Sequence, residues 1–481
     1  RSVAELSRQQ AEQRREEAEG LIEFMLGDLR EKLEPVGRLD ALDVVGAKAL
    51  DYYARQDQQT LEPESLGRRA RALHLLGEIS GLKGDVEAAL DRFSLAAQST
   101  ELLMAAEPDN PQRVFDHAQS VFWMGLVAYQ QGRYAAATVS FERYLEYAQQ
   151  LVQLDPGQPK WTLEVFYGHQ ALGGLAVEVQ DWSQAEQHLL RAVAALEILR
   201  QGDDAHDHDW ANVQSWLSSA YFHQKNFRQA GIHNQEEIRT WLEVVEKDPA
   251  DHAARRQLVI ARRGEAQLAL IGGNTSVAAA ILTPLSAELQ ALKAFEPDHA
   301  LTLEQEVLLL QDLVEVHSLQ GELALAAAHA AACMDNGEAL LRRDETILFW
   351  RLELDWRCRY LAARAAFAQG SDDEAEALIS TYYEQLGAGY DGFSEQKEAP
   401  SLLGDSLLLL GDIVYNRGRE AEARQFWRQA ESVLAGELEQ LDPKRINSLF
   451  AALNRLGDDK RATELAAFLR SREYHYPGFD S

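Results

Sequence analysis

The sequence predicts an all-α chain of helical hairpins stacked into a right-handed superhelix, and three observations carry that expectation. Pro occurs only 12 times in 481 residues. Ala, Leu, Glu, Gln and Arg dominate, while alternating runs of Val, Ile and Thr are nearly absent, which favours helix over strand. A chain of this length outgrows one compact core, so it must split into domains or extend as a repeat array. The third observation is a period. Gly77 is followed by Gly84, Ala89, Phe93, Ala96 and Pro108, and the same offsets recur along the chain with successive start positions 48, 48, 45, 48, 48, 49 and 48 residues apart.

Residues 1–57 precede the period. A helix is expected over 1–33, charged as far as Glu19 and apolar afterwards (Leu21, Ile22, Phe24, Met25, Leu29), with Pro35 ending it and a second helix over 39–53. Its first half is too polar to bury and reads as a connection to something upstream. The absence of an initiating Met and of a signal-peptide core leads us to expect a piece of a longer protein.

Eight repeats are expected over 58–443. They start at Gly77, Gly125 (with Gly132, Ala137, Phe141, Tyr144, Pro156), Gly173 (Ala185, Leu189, Ala192), Ser218 (Tyr221, Ala230, Pro249), Ala266 (Gly273, Ala278, Leu282, Pro297), Val314 (Gly321, Ala326, Ala330), Ala363 (Gly370, Ala375, Ile379) and Gly411 (Gly418, Ala423, Trp427, Ala430). The small residue lets two helix backbones approach, and the bulky residue sixteen positions later fills the space beside it. Gly at the turn suits a left-handed helix end, and the later Pro separates one hairpin from the next. Residues 444–481 offer a shorter hairpin turning at Gly457, with Ala462 beyond it and an aromatic tail (Tyr474, Tyr476, Phe479) expected to cap the last repeat.

This order of small residue, turn Gly, Ala, bulky residue and Pro resembles the tetratricopeptide superfamily, whose repeat is about 34 residues. The excess falls equally on both helices, about seven residues each, which is close to two turns and keeps the buried faces in register. The resemblance implies a non-catalytic scaffold for a protein or peptide. Residues 21–40, LIEFMLGDLREKLEPVGRLD, further resemble a segment of bacterial multidomain signalling and effector proteins, in which a kinase or STAND-type ATPase precedes such an array. That implies the sensing or partner-recruiting region of a larger polypeptide, with any membrane segment lying upstream; a free-standing adaptor is the alternative.

In that family the ligand lies on the surface lined by the first helix of each hairpin. The corresponding positions are Phe122, Tyr129 and Gln130; Tyr167 and Gln170; Asn212, Phe222 and His223; Arg263 and Gln267; Arg357, Tyr360 and Arg364; and Asp412, Tyr415 and Asn416. Aromatic anchors beside amide and Arg donors suit a peptide. The alternative is that the lengthened helices bury these side chains as core. Arg357 and Arg364 discriminate between the two, because they are costly to bury unpaired and in an open groove would clamp an acidic segment.

Lys plus Arg number 47 against 77 Asp plus Glu, a net charge of −30, which disfavours direct nucleic-acid binding. Cys333 and Cys358 are too few for a disulfide framework and are expected as buried thiols, with the cytoplasm as the default compartment and the periplasm an alternative. No apolar stretch is long enough to span a bilayer. Residues 387–392, GAGYDG, match a dinucleotide-binding string but lack its strand and helix context, so they are expected as a loop. The acidic loop carrying His206 and His208 is the strongest metal candidate, weighed against a solvated inter-repeat loop and held only as an alternative, metal-dependent enzyme. There is no phosphate loop, zinc-protease helix or nucleophile elbow, so neither catalytic residues nor a cofactor is expected.

Overall fold

The structure, a computed structural model, describes residues 13–15, 17–22, 24–25, 42–54, 62–82, 86–200, 206–297, 299–345, 347–388 and 398–477, and among them it is helical with no strand. The helices follow the predicted period. After α1 (Leu42–Ala54) come the pairs α2 (Pro63–Leu82) with α3 (Val86–Ala106), α4 (Pro111–Gln130) with α5 (Tyr134–Leu154), and α6 (Pro159–Glu178) with α7 (Trp182–Leu199). They are followed by α8 (Asp207–His223) with α9 (Phe227–Lys247), α10 (His252–Ile271) with α11 (Thr275–Phe295), and α12 (Ala300–Leu319) with α13 (Leu323–Leu341). Last come α14 (Arg357–Ala368) with α15 (Asp372–Ala388), α16 (Glu398–Asn416) with α17 (Glu420–Leu434), and the cap pair α18 (Pro443–Leu456) with α19 (Asp459–Arg470). Each pair is one repeat, and consecutive helices pack on one another within 42–199 and within 207–470. The described part of 1–33 is helical, and the rest of that prediction lies outside the described residues.

The small-to-large contact forms where the offsets place it. A Cβ on Gly77 would lie 2.6 Å from the Phe93 ring, on Gly125 2.8 Å from Phe141, and on Gly173 2.7 Å from Leu189, while on Gly411 it would run into Trp427. Asn110, Asp181, Asn226, Asp251, Asp442 and Asp458 cap helix starts through their side chains. Among the described residues the turn position seven after the small residue is left-handed: Gly132, Gly273, Gly321, Gly370 and Gly418 have φ between 69° and 82°. Gln180 and Lys225 occupy the same position at φ 62° and 61°, although neither is Gly. Gly84 lies outside the described residues.

A seven-residue π-helical stretch, Trp350–Trp356, leads into α14. A π turn accommodates an inserted residue, which fits the one interval lengthened to 49. Gly337 lies against the Leu354 carbonyl of that stretch, where any side chain would collide.

The chain divides into two compact units, Arg1–Asp204 and Ala205–Ser481, the boundary falling within the shortened interval. In the second unit one core runs from Phe227 and Ile271 through Trp356, Tyr382 and Trp427 to Tyr474. Two expectations are corrected there. Cys333 and Cys358 are not separate thiols but a disulfide between α13 and α14, with Cα atoms 5.4 Å apart. Cys333 stands nineteen after Val314, the offset at which three other repeats place a buried Ala (Ala96, Ala192 and Ala430), and the bond joins it to the first helix of the next hairpin. The tail, expected on the last repeat, instead returns from α19 to the unit's first hairpins. Phe479 and residues 389–392 of the glycine-rich string lie outside the described residues, and Gly387 is in α15.

Candidate peptide groove

In the first unit, the predicted groove aromatics pack while staying half-exposed. Phe122 lies 5.6 Å from Phe141 and 5.0 Å from Tyr144, and Tyr129 lies 5.9 Å from Tyr134. Tyr167 borders the cluster of Ala118, Val121 and Tyr144. Gln130 is exposed and Gln170 half-buried. Between α4 and α6 the bridge is uncharged on one side only: Gln119 Nε2 donates to Glu164 at 2.7 Å, and the Tyr144 hydroxyl donates to the same carboxylate at 2.5 Å.

In the second unit, first helices of successive repeats are tied by ion pairs. Arg263 on α10 donates to Asp312 and Gln305 on α12, each at 2.7 Å. Arg364 on α14 reaches Glu315 on α12. Arg357 on α14 reaches Asp405 on α16 at 2.6 Å, with Glu353 at 3.6 Å, and lies over the Tyr360 ring. Arg455 on α18 grips both oxygens of Asp412 at 2.6 Å. Burial opposes the charges on Arg357 and Arg364, but Glu353 with Asp405, and Glu315, outweigh it and hold both guanidinium pKa values above the ordinary one. The two discriminating arginines are therefore paired within the chain.

Sequence reasoning missed the partners Glu315 and Asp405, although the signal was present. Glu315 and Arg364 both stand one after the small residue of their repeats, and Asp405 and Arg357 both stand six before it. Opposite charges at one offset of neighbouring repeats come together when hairpins stack.

The remaining groove positions differ in exposure. Asn212, Phe222, His223 and Gln267 are half-buried, Phe222 packing 5.6 Å from Phe227, whereas Tyr415 is 52% exposed and Asn416 is exposed at the end of α16.

The chain's own C-terminal segment lies on this face. α19 ends at Arg470, a turn follows with Glu473 at φ 61°, and after the Tyr474 N–H bonds back to the Leu469 carbonyl at 3.2 Å the chain leaves the helix through His475 and Tyr476 without regular secondary structure. Arg472 donates to the Gln224 carbonyl after α8 at 3.1 Å. The His475 backbone N–H donates to the Ile271 carbonyl at the end of α10 at 2.7 Å. The Tyr476 hydroxyl donates to Glu315 on α12. Tyr474 is 1% exposed with its ring 5.7 Å from Phe227. Burial raises the Glu315 pKa, but Arg364 and Tyr476 more than cancel it and leave the carboxylate below its ordinary value. Lys225, in its left-handed turn, sends its ammonium to the carbonyls of His223 at 3.1 Å and Glu439 at 2.8 Å, and burial pushes its pKa down to about 8. That tether accounts for a lysine where five of the other turns have Gly.

His206 and His208 do not converge: His206 pairs with Asp209 at 3.3 Å and His208 with Asp251 at 3.1 Å. Among the described residues no group of three or more His, Cys, Asp or Glu could hold a metal ion, and no helix is long and apolar enough to cross a membrane.

No family model matches the sequence, nor does any curated protein. Solved structures do resemble the fold. The apo form of RapI aligns at TM-score 0.50 and 10% identity, over 84% of this chain and 99% of RapI. A Rap protein complexed with competence and sporulation factor aligns at 0.44 and 10%, over 85% and 100%. A monomeric mutant of IFIT1 with m7Gppp-AAAA aligns at 0.42 and 11%, over 94% and 86%. By its repeat, its small-to-large hairpin packing and its likeness to RapI, the chain carries the tetratricopeptide-type helical-repeat fold.

Proposed function

We propose that the chain is a non-catalytic scaffold that binds extended polypeptide segments on the faces that the first helices form within each unit. The observation that supports this most is that the second unit's first helices already hold a non-helical segment through one backbone hydrogen bond, a buried ring and a phenol-to-carboxylate contact. These are the elements by which a groove recognises an unfolded peptide: a few anchors and a main-chain bond. The proposed contacts are Phe122, Tyr129, Gln130, Tyr167 and Gln170 in the first unit, and Asn212, Phe222, His223, Gln267, Tyr415 and Asn416 in the second. Arg263, Arg357, Tyr360 and Arg364 form the wall that orients the carboxylates. The acidic composition argues against nucleic acid as the ligand.

The resemblance of residues 21–40 supports a place within a larger bacterial signalling or effector protein, downstream of its effector module. The Cys333–Cys358 bond would persist best in oxidising surroundings, which favours the periplasmic alternative. The test is selection of binders from a combinatorial peptide display library, followed by anisotropy titration against the chain and against its Gln130→Ala, Tyr415→Ala, Asn416→Ala triple variant. Selected peptides should bind the variant at least ~10-fold more weakly. Undiminished binding by a folded variant would remove these positions from the site.

A further inference from the structure

Resting on that reading, we propose that residues 472–477 are a built-in, displaceable occupant of the second unit's groove, and that the partner is an extended segment presenting tyrosines at alternate positions, as Tyr474-His475-Tyr476 does. The segment crosses three hairpins in order, at Gln224, Ile271 and Glu315. In an extended chain alternate side chains share a face. Tyr474 and Tyr476 accordingly both pack into the unit, their rings stacked 6.0 Å apart, while His475 is exposed.

Tyr474 reaches the unit's core, but the remaining contacts have the character of an exchangeable ligand. Two of the acceptors, the Gln224 and Ile271 carbonyls, belong to helix ends, where water can replace the donor. The third acceptor, Glu315, keeps Arg364 when the tail leaves, so release strands no buried charge. The segment is held by one main-chain bond to the groove, and it enters through a non-Gly residue in the left-handed region, Glu473, a conformation that opposes the docked state. The groove is also shaped for a passing backbone: a Cβ on Gly273 would lie 2.9 Å from the His475 carbonyl oxygen, whereas one on the equivalent Gly321 or Gly370 meets nothing.

The experiment compares the full chain with a chain ending at Ser471, each checked for helicity and cooperative melting. The probe is a fluorescein-labelled peptide with the sequence of residues 470–481. We expect at least ~10-fold tighter binding to the shortened chain than to the full one, and loss of binding when both tyrosines of the peptide are replaced by Ala. A folded shortened chain that does not bind the peptide overturns the proposal, as does equal binding to both chains. Should the shortened chain fail to fold, full-length Tyr476→Ala takes its place under the same two criteria. Library peptides that bind the groove while the tail peptide does not would sink self-occupancy alone; a folded, shortened chain that binds neither would sink the peptide-groove reading as well.

Discussion

Residues 63–199 and residues 207–434 are built from the same hairpin, yet different chemistry joins the first helices of each set. In the first unit, the bridge from α2 through α3 to α4 is made by His74, Thr100, His117 and Ser120, with contacts of 2.8 to 3.2 Å. Burial pushes the His74 imidazole down to about 4, so it is neutral at pH 7. In the second unit, guanidinium–carboxylate pairs take over, and a carboxylate has more acceptor sites than one arginine fills. At Glu315 the spare capacity receives Tyr476. The same backbone repeat can thus be closed by neutral networks, or walled with carboxylates able to accept from a second segment. The charges at fixed offsets decide which.

The largest contrast should appear when one bridge from each unit is cut. Arg263→Ala leaves Asp312 buried beside Gln305 and should cost about 3–5 kcal/mol. Gln119→Ala in the first unit removes one hydrogen bond to Glu164, which keeps Tyr144, and should cost about 1–2 kcal/mol. Urea midpoints measure both, and equal losses would break the comparison. Reduction of Cys333–Cys358 should cost the second unit about 3 kcal/mol from the released loop. Hydrogen exchange with and without reductant should then change over residues 300–388 and not over 86–200.

Glu237 sharpens the comparison through pH. Burial pushes its carboxyl up to about 7, with Ser215, Asn234 and Trp241 offsetting only part. A raised folded pKa means that the folded state holds the proton more tightly. Its contribution is therefore complete below the unfolded value of 4.5 and is lost as pH rises through about 7. Glu237→Gln should stabilise the second unit by about 2 kcal/mol at pH 8 and by little at pH 4.5, read as melting temperature against pH. A gain independent of pH would contradict this account. The smallest effect separates two turn glycines. Gly273→Ala and Gly321→Ala share a left-handed penalty of about 1 kcal/mol, but only the first meets His475. Trypsin should cut after Arg472 faster in Gly273→Ala alone.

Contacts that repeat with the hairpin were legible in the sequence. Gly77 with Phe93 and Gly411 with Trp427 are separated by a constant offset and meet inside one hairpin. The charged wall was half legible: Arg357 and Arg364 stood out, while Asp405 and Glu315 needed the further step of comparing one offset across neighbouring repeats. The disulfide was hidden because two cysteines reveal no framework, although their places in the repeat put them at a shared helix contact. The tail's return was illegible. Tyr476 meets Glu315 across 161 residues and Arg472 meets Gln224 across 248, and no local pattern specifies a contact outside the period.

The central claim, that the second unit's groove holds an exchangeable extended segment, is tested most directly by native-state hydrogen exchange on the intact chain. The His475 amide, bonded to Ile271, should exchange at least ~100-fold faster than the central amides of α19, and faster still when the peptide of residues 470–481 is added in excess. Protection of His475 equal to that of α19, and unmoved by the peptide, would show that the segment is part of the core and not a ligand.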